Sequence, residues 1–120
     1  MVLVDTSVWV AHLSRGATDL ARRLEGNEVF THPFIFGELS LGALVRRSET
    51  LLLLADLPKA QRAGDEEVFA LIEGSRLYSQ GIGWVDAHLL ASARLSECSL
   101  WTLDRALARV AGTLRIPVEK

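Results

Sequence analysis

The sequence predicts an α/β fold in which helices cover both faces of a parallel sheet. Short apolar runs alternate with longer segments of helical periodicity, which is the pattern of parallel strands joined by helical crossovers. The first run, residues 1–4, is apolar at every position, as in a strand buried on both faces. With 120 residues and no repeat or linker, the chain is expected to form a single domain over residues 1–120.

The first half of the chain is predicted to contain two strands and four helices. Glycine and proline set the bounds: Gly26 ends one helix, and Pro33 suits the first turn of another because proline has no N–H to leave unpaired there. The predicted strands are residues 1–4 and 29–31, and the predicted helices are residues 8–13, 19–25, 33–45 and 48–57.

The second half is predicted to contain three helices and two strands, with residues 59–62 as a candidate for one more short strand. Asp65 is the expected cap of a helix that Gly81 ends, with Glu66 and Glu67 in its first turn, where the helix dipole favours carboxylates. The next helix opens at Gly83. A strand at 100–102, a helix at 106–111 and an edge strand at 116–118 complete the chain.

Composition excludes several classes of function. The net charge of −2 argues against a protein that holds nucleic acid by bulk charge alone. No apolar stretch approaches the roughly 18 residues of a membrane span, and the start lacks the pattern of a secretory signal. The single cysteine, Cys98, cannot form an internal disulfide and fits a reducing compartment. We therefore expect a cytoplasmic protein with no membrane partner.

The cations are almost all arginines, and arginine binds phosphate bidentately. Five of them flank the first two candidate acids described below: Arg15, Arg22, Arg23, Arg46 and Arg47. Such a rim would suit a phosphodiester substrate. Solvated arginines with no role in binding explain the same pattern equally well.

Four acids lie at predicted strand ends or on predicted helices: Asp5, Glu38, Asp86 and Asp104. Each has an ordinary explanation, since an aspartate can cap a helix and a helical glutamate can hold its carboxylate in water. Together the four acids indicate a shared site, because Asp5 and Asp104 follow apolar strands whose carboxyl ends lie at one edge of a parallel sheet. Like charges gathered there repel, and Mg²⁺ or Mn²⁺, which prefer oxygen ligands, would relieve that repulsion.

Other chemistries have less support. The histidines are scattered along the chain, and one cysteine cannot build a zinc site. His88 in particular is expected to be a polar surface or edge residue. The chain has no G-x-S-x-G elbow, no P-loop and no G-x-G-x-x-G. The three tryptophans each lie in an apolar run and are expected mainly in the core: Trp9, Trp84 and Trp101.

The acids occur within four motifs that follow one another in a fixed order. These are Val4-Asp5-Thr6-Ser7-Val8-Trp9, Gly37-Glu38-Leu39, Gly81-Ile82-Gly83-Trp84-Val85-Asp86-Ala87-His88-Leu89-Leu90-Ala91, and Leu100-Trp101-Thr102-Leu103-Asp104. The set resembles the PIN-domain family, and more narrowly the VapC toxins of VapBC toxin–antitoxin systems. The likeness covers essentially the whole chain, and the third motif is the most specific.

The resemblance implies a three-layer α/β/α sandwich with a central parallel sheet. It also implies a Mg²⁺- or Mn²⁺-dependent endoribonuclease that forms a homodimer and is inhibited by a small VapB-like antitoxin. Contact with DNA would be indirect, through the antitoxin. The RNA that is cut does not follow from the sequence.

Residue by residue, the resemblance makes Asp5, Glu38, Asp86 and Asp104 the four acids of the site. Thr6 or Ser7 matches the hydroxyl position after the first acid, and Thr102 matches the one before the fourth. The sequence departs from many relatives at Arg105-Ala106-Leu107, where they carry a further acid, so a second metal ion would bind weakly or only with substrate.

We assign a role to each of these residues. Asp5 and Asp86 are the expected metal ligands, Glu38 orients or deprotonates the attacking water, and Asp104 completes the metal shell or helps to hold a second ion. Thr6 and Thr102 are expected to orient the carboxylates from behind.

Two other classes of function remain open. A phosphohydrolase with a strand-end aspartate as nucleophile normally carries a second aspartate two residues on, where this chain has Ser7. A PIN-like binding module without catalysis is the other. The helices around residues 34–36 and 51–54 carry enough apolar surface to predict an interface with a second copy or with the antitoxin.

Overall fold

The computed structural model of the protein describes residues 1–16 and 18–119. The described chain forms four strands: β1 (Val2–Val4), β2 (Val29–Phe30), β3 (Ser99–Trp101) and β4 (Val118–Glu119). It forms seven helices: α1 (Thr6–Arg15), α2 (Thr18–Glu25), α3 (Pro33–Ser40), α4 (Arg47–Asp56), α5 (Asp65–Gly74), α6 (Trp84–Leu95) and α7 (Arg105–Thr113). Within the described residues, no helix has the length and apolarity needed to cross a bilayer.

The strands form one parallel sheet in the order β2-β1-β3-β4. In register, Leu3 of β1 lies between Phe30 of β2 and Leu100 of β3. All three residues of β1 are fully buried, as the uniformly apolar run predicts for a central strand. Helices flank this sheet, and the predicted three-layer α/β/α sandwich is confirmed.

The core lies between the sheet and the helices, and each layer contributes large side chains to it. Fully buried residues come from most of the helices: Trp9, Leu20, Ile35, Leu54, Leu89 and Leu107. Because the strands are parallel and central, their carboxyl ends meet at one edge, which is where ligands bind in open parallel sheets. Three helices begin close to that edge: α1 directly follows β1, α3 follows β2, and α7 follows β3.

Helix α5 ends earlier than the sequence suggests. Gly81 was the predicted stop, but the helix ends at Gly74. Arg76 takes a left-handed conformation with φ of 53°, and the Leu77 N–H donates to the Ile72 carbonyl at 2.9 Å. The Leu77 side chain is buried, so its burial offsets the conformational cost of a non-glycine residue in that position. The predicted cap of this helix was also wrong by one residue, because Gly64 precedes the first turn and Asp65 lies within it.

The predicted helix at 33–45 was also too long, since α3 stops at Ser40. The Arg47 guanidinium donates to the Ser40 carbonyl at 2.6 Å and to the Gly42 carbonyl at 3.3 Å, so it satisfies groups that the helix leaves open. Arg47 also begins α4, which makes Ser48 a helical residue and not the predicted cap.

The candidate strand near residues 59–62 is reduced to one parallel bridge between Thr31 and Lys59. Two backbone hydrogen bonds accompany the bridge, one from the Thr31 N–H to the Pro58 carbonyl and one from the Ala60 N–H to the Thr31 carbonyl. The bridge extends the β2 edge of the sheet by a single residue, which a propensity pattern cannot distinguish from a loop.

Candidate active site

Asp5 lies at the carboxyl end of β1 and caps α1. Its side chain is 7% exposed, and both of its oxygens accept hydrogen bonds. Oδ1 accepts from the Thr6 N–H at 2.8 Å, while Oδ2 accepts from the Ser7 hydroxyl at 2.9 Å and from the Thr102 hydroxyl at 2.7 Å. Three donors directed at one carboxylate fix its orientation.

Two hydroxyls connect the end of β1 to the end of β3. The Thr102 hydroxyl donates to Asp5 and accepts from the Asp104 N–H at 3.0 Å. The Ser7 hydroxyl donates to Asp5 and accepts from the Leu103 N–H at 3.0 Å. Each hydroxyl donates its single proton to Asp5, because a carboxylate oxygen can only accept, and accepts a backbone N–H with one of its own lone pairs.

The site uses both hydroxyls that follow the first acid. The sequence reasoning left Thr6 and Ser7 as alternatives and favoured Thr6. In the structure Ser7 contacts Asp5, while the Thr6 hydroxyl donates to Glu38 Oε1 at 2.7 Å. Thr6 also donates its backbone N–H to Asp5, so one residue joins the first and second acids. The signal for Ser7 was its position two residues after a helix cap, which returns its side chain toward that cap.

Glu38 and Asp104 are the more exposed acids. Glu38 lies in the second turn of α3, and the Thr6 hydroxyl is its hydrogen-bond donor. Asp104 caps α7, with Oδ1 accepting from the Leu107 N–H at 3.1 Å. That capping bond orients Asp104 without removing it from water.

Asp86 lies in the first turn of α6, and its Oδ2 accepts from the Gly83 N–H at 3.0 Å. Burial raises the pKa of the Asp86 carboxyl, and the negative charges of Asp5, Asp104 and Glu38 raise this pKa further, while the bond from Gly83 opposes the rise. Asp86 therefore lies within the electrostatic field of the other three acids. The structure brings all four predicted acids to one edge of the sheet.

The donor set fits a hard divalent cation. All four groups are carboxylates, which are the ligands that Mg²⁺ and Mn²⁺ prefer. Among the described residues, no three acid, histidine or cysteine side chains are arranged as a preformed cage for a metal. Mg²⁺ is usually held by one or two carboxylates and several waters, so the site needs no such cage.

Two sequence expectations near the site were wrong. His88 is fully buried, not a surface or edge residue, and its Nε2 lies 3.2 Å from Asp65 Oδ1. Trp84 is 40% exposed, whereas Trp9 and Trp101 are buried as expected. Both errors have one cause: residues 84 and 88 share a face of α6, and that face packs ring against ring with neighbouring aromatic side chains.

His32 is likewise fully buried, beneath the same group of rings. Its Nδ1 accepts from the Phe34 N–H at 3.0 Å and so caps α3. Burial, and after it the neighbouring His88 and Arg62, lower the pKa of His32 to about 4. His32 is therefore a neutral residue near pH 7, and its side chain caps α3.

The predicted arginine rim is only partly available to a ligand. Arg23 pairs with Glu119 at 2.7 Å, and Arg47 satisfies the end of α3. Arg46 lies 3.9 Å from Glu49 on the exposed surface, where such a pair contributes little. Two of the five arginines thus have structural roles.

A cavity of about 300 Å³ lies beside the acids, between α1 and α3. Thr6 and Glu38 form its polar end. The remainder is mainly apolar, with lining residues Val10, Leu13, Leu39, Ala43, Leu44 and Val45. Next to it, Leu41 and Val45 are 89% and 82% exposed, which is unusual for aliphatic side chains and marks this surface as a candidate interface.

A model of the PIN domain family matches residues 2–113, which is nearly the whole chain. The chain belongs to the PIN domain family. Within it the chain falls in the VapC group: it is 41% identical over 108 residues to Ribonuclease VapC32 of Mycobacterium tuberculosis, in both strain CDC 1551 / Oshkosh and strain ATCC 25618 / H37Rv. Each alignment covers 89% of this chain and 87% of the relative.

Solved structures show the same fold at much lower identity. FitAcB from Neisseria gonorrhoeae superposes with a TM-score of 0.65 at 20% identity, over 100% of this chain and 97% of that one. PAE2754 from Pyrobaculum aerophilum gives a TM-score of 0.59 at 18% identity, over 95% of this chain and 88% of that one. At such identities these matches support the PIN architecture alone.

Proposed function

We propose that this PIN-family protein is a metal-dependent endoribonuclease, the toxin of a toxin–antitoxin pair, with its complete active site in one domain. The observation that carries the proposal is the convergence of four carboxylates at the carboxyl edge of the sheet, where burial raises the pKa of Asp86 and the charges of the other three acids raise it further. The likeness to Ribonuclease VapC32 supports RNA as the substrate. An RNA substrate and a single buried cysteine both suit the cytoplasm.

Asp5 and Asp86 would hold Mg²⁺ or Mn²⁺, directly or through water. Such an ion, when bound, lowers the pKa of a water molecule and neutralises charge on the phosphoryl oxygens. Asp5 suits this role because Thr6, Ser7 and Thr102 fix the orientation of its carboxylate. Asp86 suits it because burial and repulsion from the other three acids raise its pKa, and a bound cation would favour its charged form.

The chain's other groups position the reactants. Glu38 accepts a hydrogen bond from Thr6 on one oxygen, which leaves the other oxygen to orient the attacking water and accept its proton. Asp104 is fixed by the Leu107 N–H through Oδ1, so its other oxygen completes the acidic edge. Water then attacks phosphorus, the bond to the leaving ribose oxygen breaks, and that oxygen takes a proton from solvent.

A strand-end phosphohydrolase is the less suitable alternative. That mechanism needs an aspartate oxygen free to attack phosphorus, whereas both oxygens of Asp5 are occupied and the side chain is 7% exposed. An acid held in this way is better placed to bind a cation than to act as a nucleophile.

The decisive experiment incubates the purified protein with end-labelled RNA in Mn²⁺, in Mg²⁺ and in EDTA. We expect cleavage that requires the cation. A protein phosphorylated by a small phosphodonor, with intact RNA, would favour the phosphohydrolase class. Intact RNA and no phosphorylation would favour a binding module without catalysis.

We also propose that an antitoxin segment occupies the cavity between α1 and α3. Its apolar side chains would cover Leu41 and Val45, and a basic side chain would reach Glu38 at the polar end, where it would compete with RNA and metal. The exposed Leu52 and Leu53 of α4, at 72% and 49%, offer a further apolar surface for the antitoxin or for a homodimer.

Light scattering and antitoxin titration test these two contacts with the variants Val45→Glu, Leu52→Glu and Leu53→Glu. We expect a wild-type homodimer at micromolar concentration. Val45→Glu is expected to weaken antitoxin binding, and at least one α4 variant is expected to weaken the dimer or the antitoxin complex. A monomeric wild type with unchanged antitoxin affinity in all three variants would contradict both contacts.

A further inference from the structure

A row of aromatic rings lies on one side of the start of α6. Phe69 of α5 and Trp84 have ring centroids 4.9 Å apart with planes tilted by 39°. The Trp84 and His88 rings meet edge to face with centroids 4.6 Å apart, and the His88 and Phe34 centroids are 4.7 Å apart. The Arg62 guanidinium lies 4.9 Å above the Phe34 ring and ends the row with a cation.

The row has a rigid base and an open surface. His88 is fully buried and supports Trp84 from below, whereas Trp84 and Phe69 are 40% and 57% exposed. Large aromatic side chains normally bury most of their surface in a core. Two of them in contact with each other and open to water therefore mark a binding surface, and its flat, apolar faces suit a planar ligand.

Topology places this row at the same edge of the sheet as the acids. Phe34 is in the first turn of α3, which begins directly after β2. Trp84 is the first residue of α6, and Asp86 follows two positions later, about 3 Å further along the helix axis. The Trp84 and Asp86 side chains lie on opposite sides of this first turn. An extended ligand that crosses the start of α6 therefore passes from the acids to the rings.

We propose that Trp84, with Phe69 beside it, stacks on an unpaired base of the RNA while the neighbouring phosphate lies at the acidic edge. This inference rests on the proposed ribonuclease function. Single-stranded RNA is commonly bound by stacking its bases on aromatic side chains. Such contacts suit a protein whose net charge of −2 gives it no bulk attraction to phosphate.

The cluster carries charges of both signs. Asp65 contributes a carboxylate next to His88, and Arg62 contributes a guanidinium on Phe34. The cation lies at the end of the row, where it can pair with a phosphate that flanks the stacked base.

The test compares an oligoribonucleotide with the same oligomer carrying one abasic residue, both measured in EDTA so that no cleavage occurs. For the wild type, we expect the abasic residue to weaken binding by roughly tenfold, the usual size of one stacking contact. Trp84→Leu should lose about the same affinity and no longer distinguish the two oligomers. Trp84→Phe, which keeps an aromatic face, should retain most of the difference.

Leu95→Ala is the matched control, because Leu95 ends the same helix and is 38% exposed, close to the value for Trp84. It should bind both oligomers as the wild type does. In cleavage assays with Mn²⁺, the loss in Trp84→Leu should fall mainly on KM and less on kcat. Among the three tryptophans Trp84 is the exposed one, so RNA should also protect the wild-type fluorescence from a soluble quencher.

Two results would overturn the stacking role while leaving the ribonuclease intact. One is cation-dependent cleavage with no effect of the abasic residue or of Trp84→Leu. The other is a dimer that dissociates in Trp84→Leu with unchanged RNA affinity, which would make the rings a protein interface. A wild type that neither binds nor cleaves RNA would refute both proposals.

Discussion

The four acids divide into two regions that are held in different ways. We call Asp5 and Asp104, with the hydroxyls of Ser7 and Thr102, the strand-end corner, and Glu38 and Asp86 the helix-borne acids. The corner joins β1 to β3 through hydroxyls that each bond to both strand ends. Each helix-borne acid has one described hydrogen-bond donor.

The two regions differ in what fixes and stabilises their carboxylates. In the corner, donors stabilise the Asp5 charge, and the strand register fixes its place. Among the helix-borne acids, the pKa of Asp86 is raised by burial and by repulsion from the other acids. We infer that the corner is organised before any ligand arrives, whereas the helix-borne acids depend on a cation to offset their charge.

The largest effect is expected from Asp5→Asn. The change removes one negative charge from the corner and replaces one acceptor oxygen with an amide nitrogen, which cannot accept, so it should lower the cleavage rate more than about 100-fold. Loss of one hydrogen bond costs about 1 kcal/mol, which reduced repulsion offsets, so the melting temperature should change little. Initial rates in Mn²⁺ and thermal melts measure the two effects.

Asp56→Asn, an exposed aspartate at the end of α4, is the control for Asp5→Asn and should keep full activity. Cleavage by Asp5→Asn at the wild-type rate would show that the corner is not the site.

The next largest effect is expected from Thr102→Val, which keeps the shape of the side chain but removes its hydroxyl. Asp5 then loses a donor and the Asp104 N–H loses its acceptor. We expect roughly a 10- to 100-fold loss of activity and a destabilisation of about 1–3 kcal/mol. Thr113→Val is the control, because that hydroxyl bonds the Arg109 carbonyl on an exposed helix. Equal effects from the two variants would refute the special role of the corner.

A smaller effect separates metal binding from helix capping. Asp86 and Glu67 occupy the same position of their helices, and each accepts from the N–H of a preceding glycine at 3.0 Å. Both Asp86→Ala and Glu67→Ala should therefore lose about the same capping energy, roughly 1 kcal/mol. Mn²⁺ at ten times its Kd should stabilise the wild type and Glu67→Ala by about 1.4 kcal/mol. If Mn²⁺ raises the melting temperature of Asp86→Ala as much as that of the wild type, Asp86 is not a metal ligand.

The smallest effect is a pH dependence that belongs to Asp86. The pKa of Asp86 is higher in the folded protein than in the unfolded chain, so the folded protein binds more protons at this carboxyl. The free energy of unfolding therefore falls as the pH rises through the pKa of Asp86 in the folded protein. Asp86→Asn keeps an oxygen to accept from Gly83 but carries no charge. In EDTA it should melt above the wild type at pH 7, and the difference should shrink as the pH falls to acidic values. A difference that grows toward low pH would contradict the assignment.

The sequence was sufficient for the sheet, the order of most elements and the positions of the four acids, because apolar runs and helix starts are local patterns. It placed the end of α2 correctly but failed at the ends of α3 and α5. Four residues adopt left-handed conformations just beyond helices without being glycine: Asn27, Arg76, Glu97 and Arg115. Three of them precede a buried side chain, at Leu77, Cys98 and Ile116, so tertiary burial holds a backbone conformation that residue type alone would not predict.

The sequence predicted supporting roles for Thr6 and Thr102, but it could not reveal which acid each hydroxyl contacts or that Ser7 joins them. Ser7 and Thr102 are separated by 95 residues in the chain, and their hydroxyls meet because β1 and β3 are neighbours. The exposure of Trp84 and the burial of His88 depend on how α5 packs on α6, which no local pattern records.

The central claim is that a cation at this acidic edge directs water onto an RNA phosphodiester. In the most direct measurement, the protein cleaves a defined RNA in water enriched in the heavy oxygen isotope, with Mn²⁺ or with EDTA. The masses of the products are then determined by mass spectrometry. We predict one heavy oxygen in the new terminal phosphate for each cut, and no cleavage in EDTA. Products that end in a cyclic phosphate without the heavy isotope, or cleavage that persists in EDTA, would contradict the account.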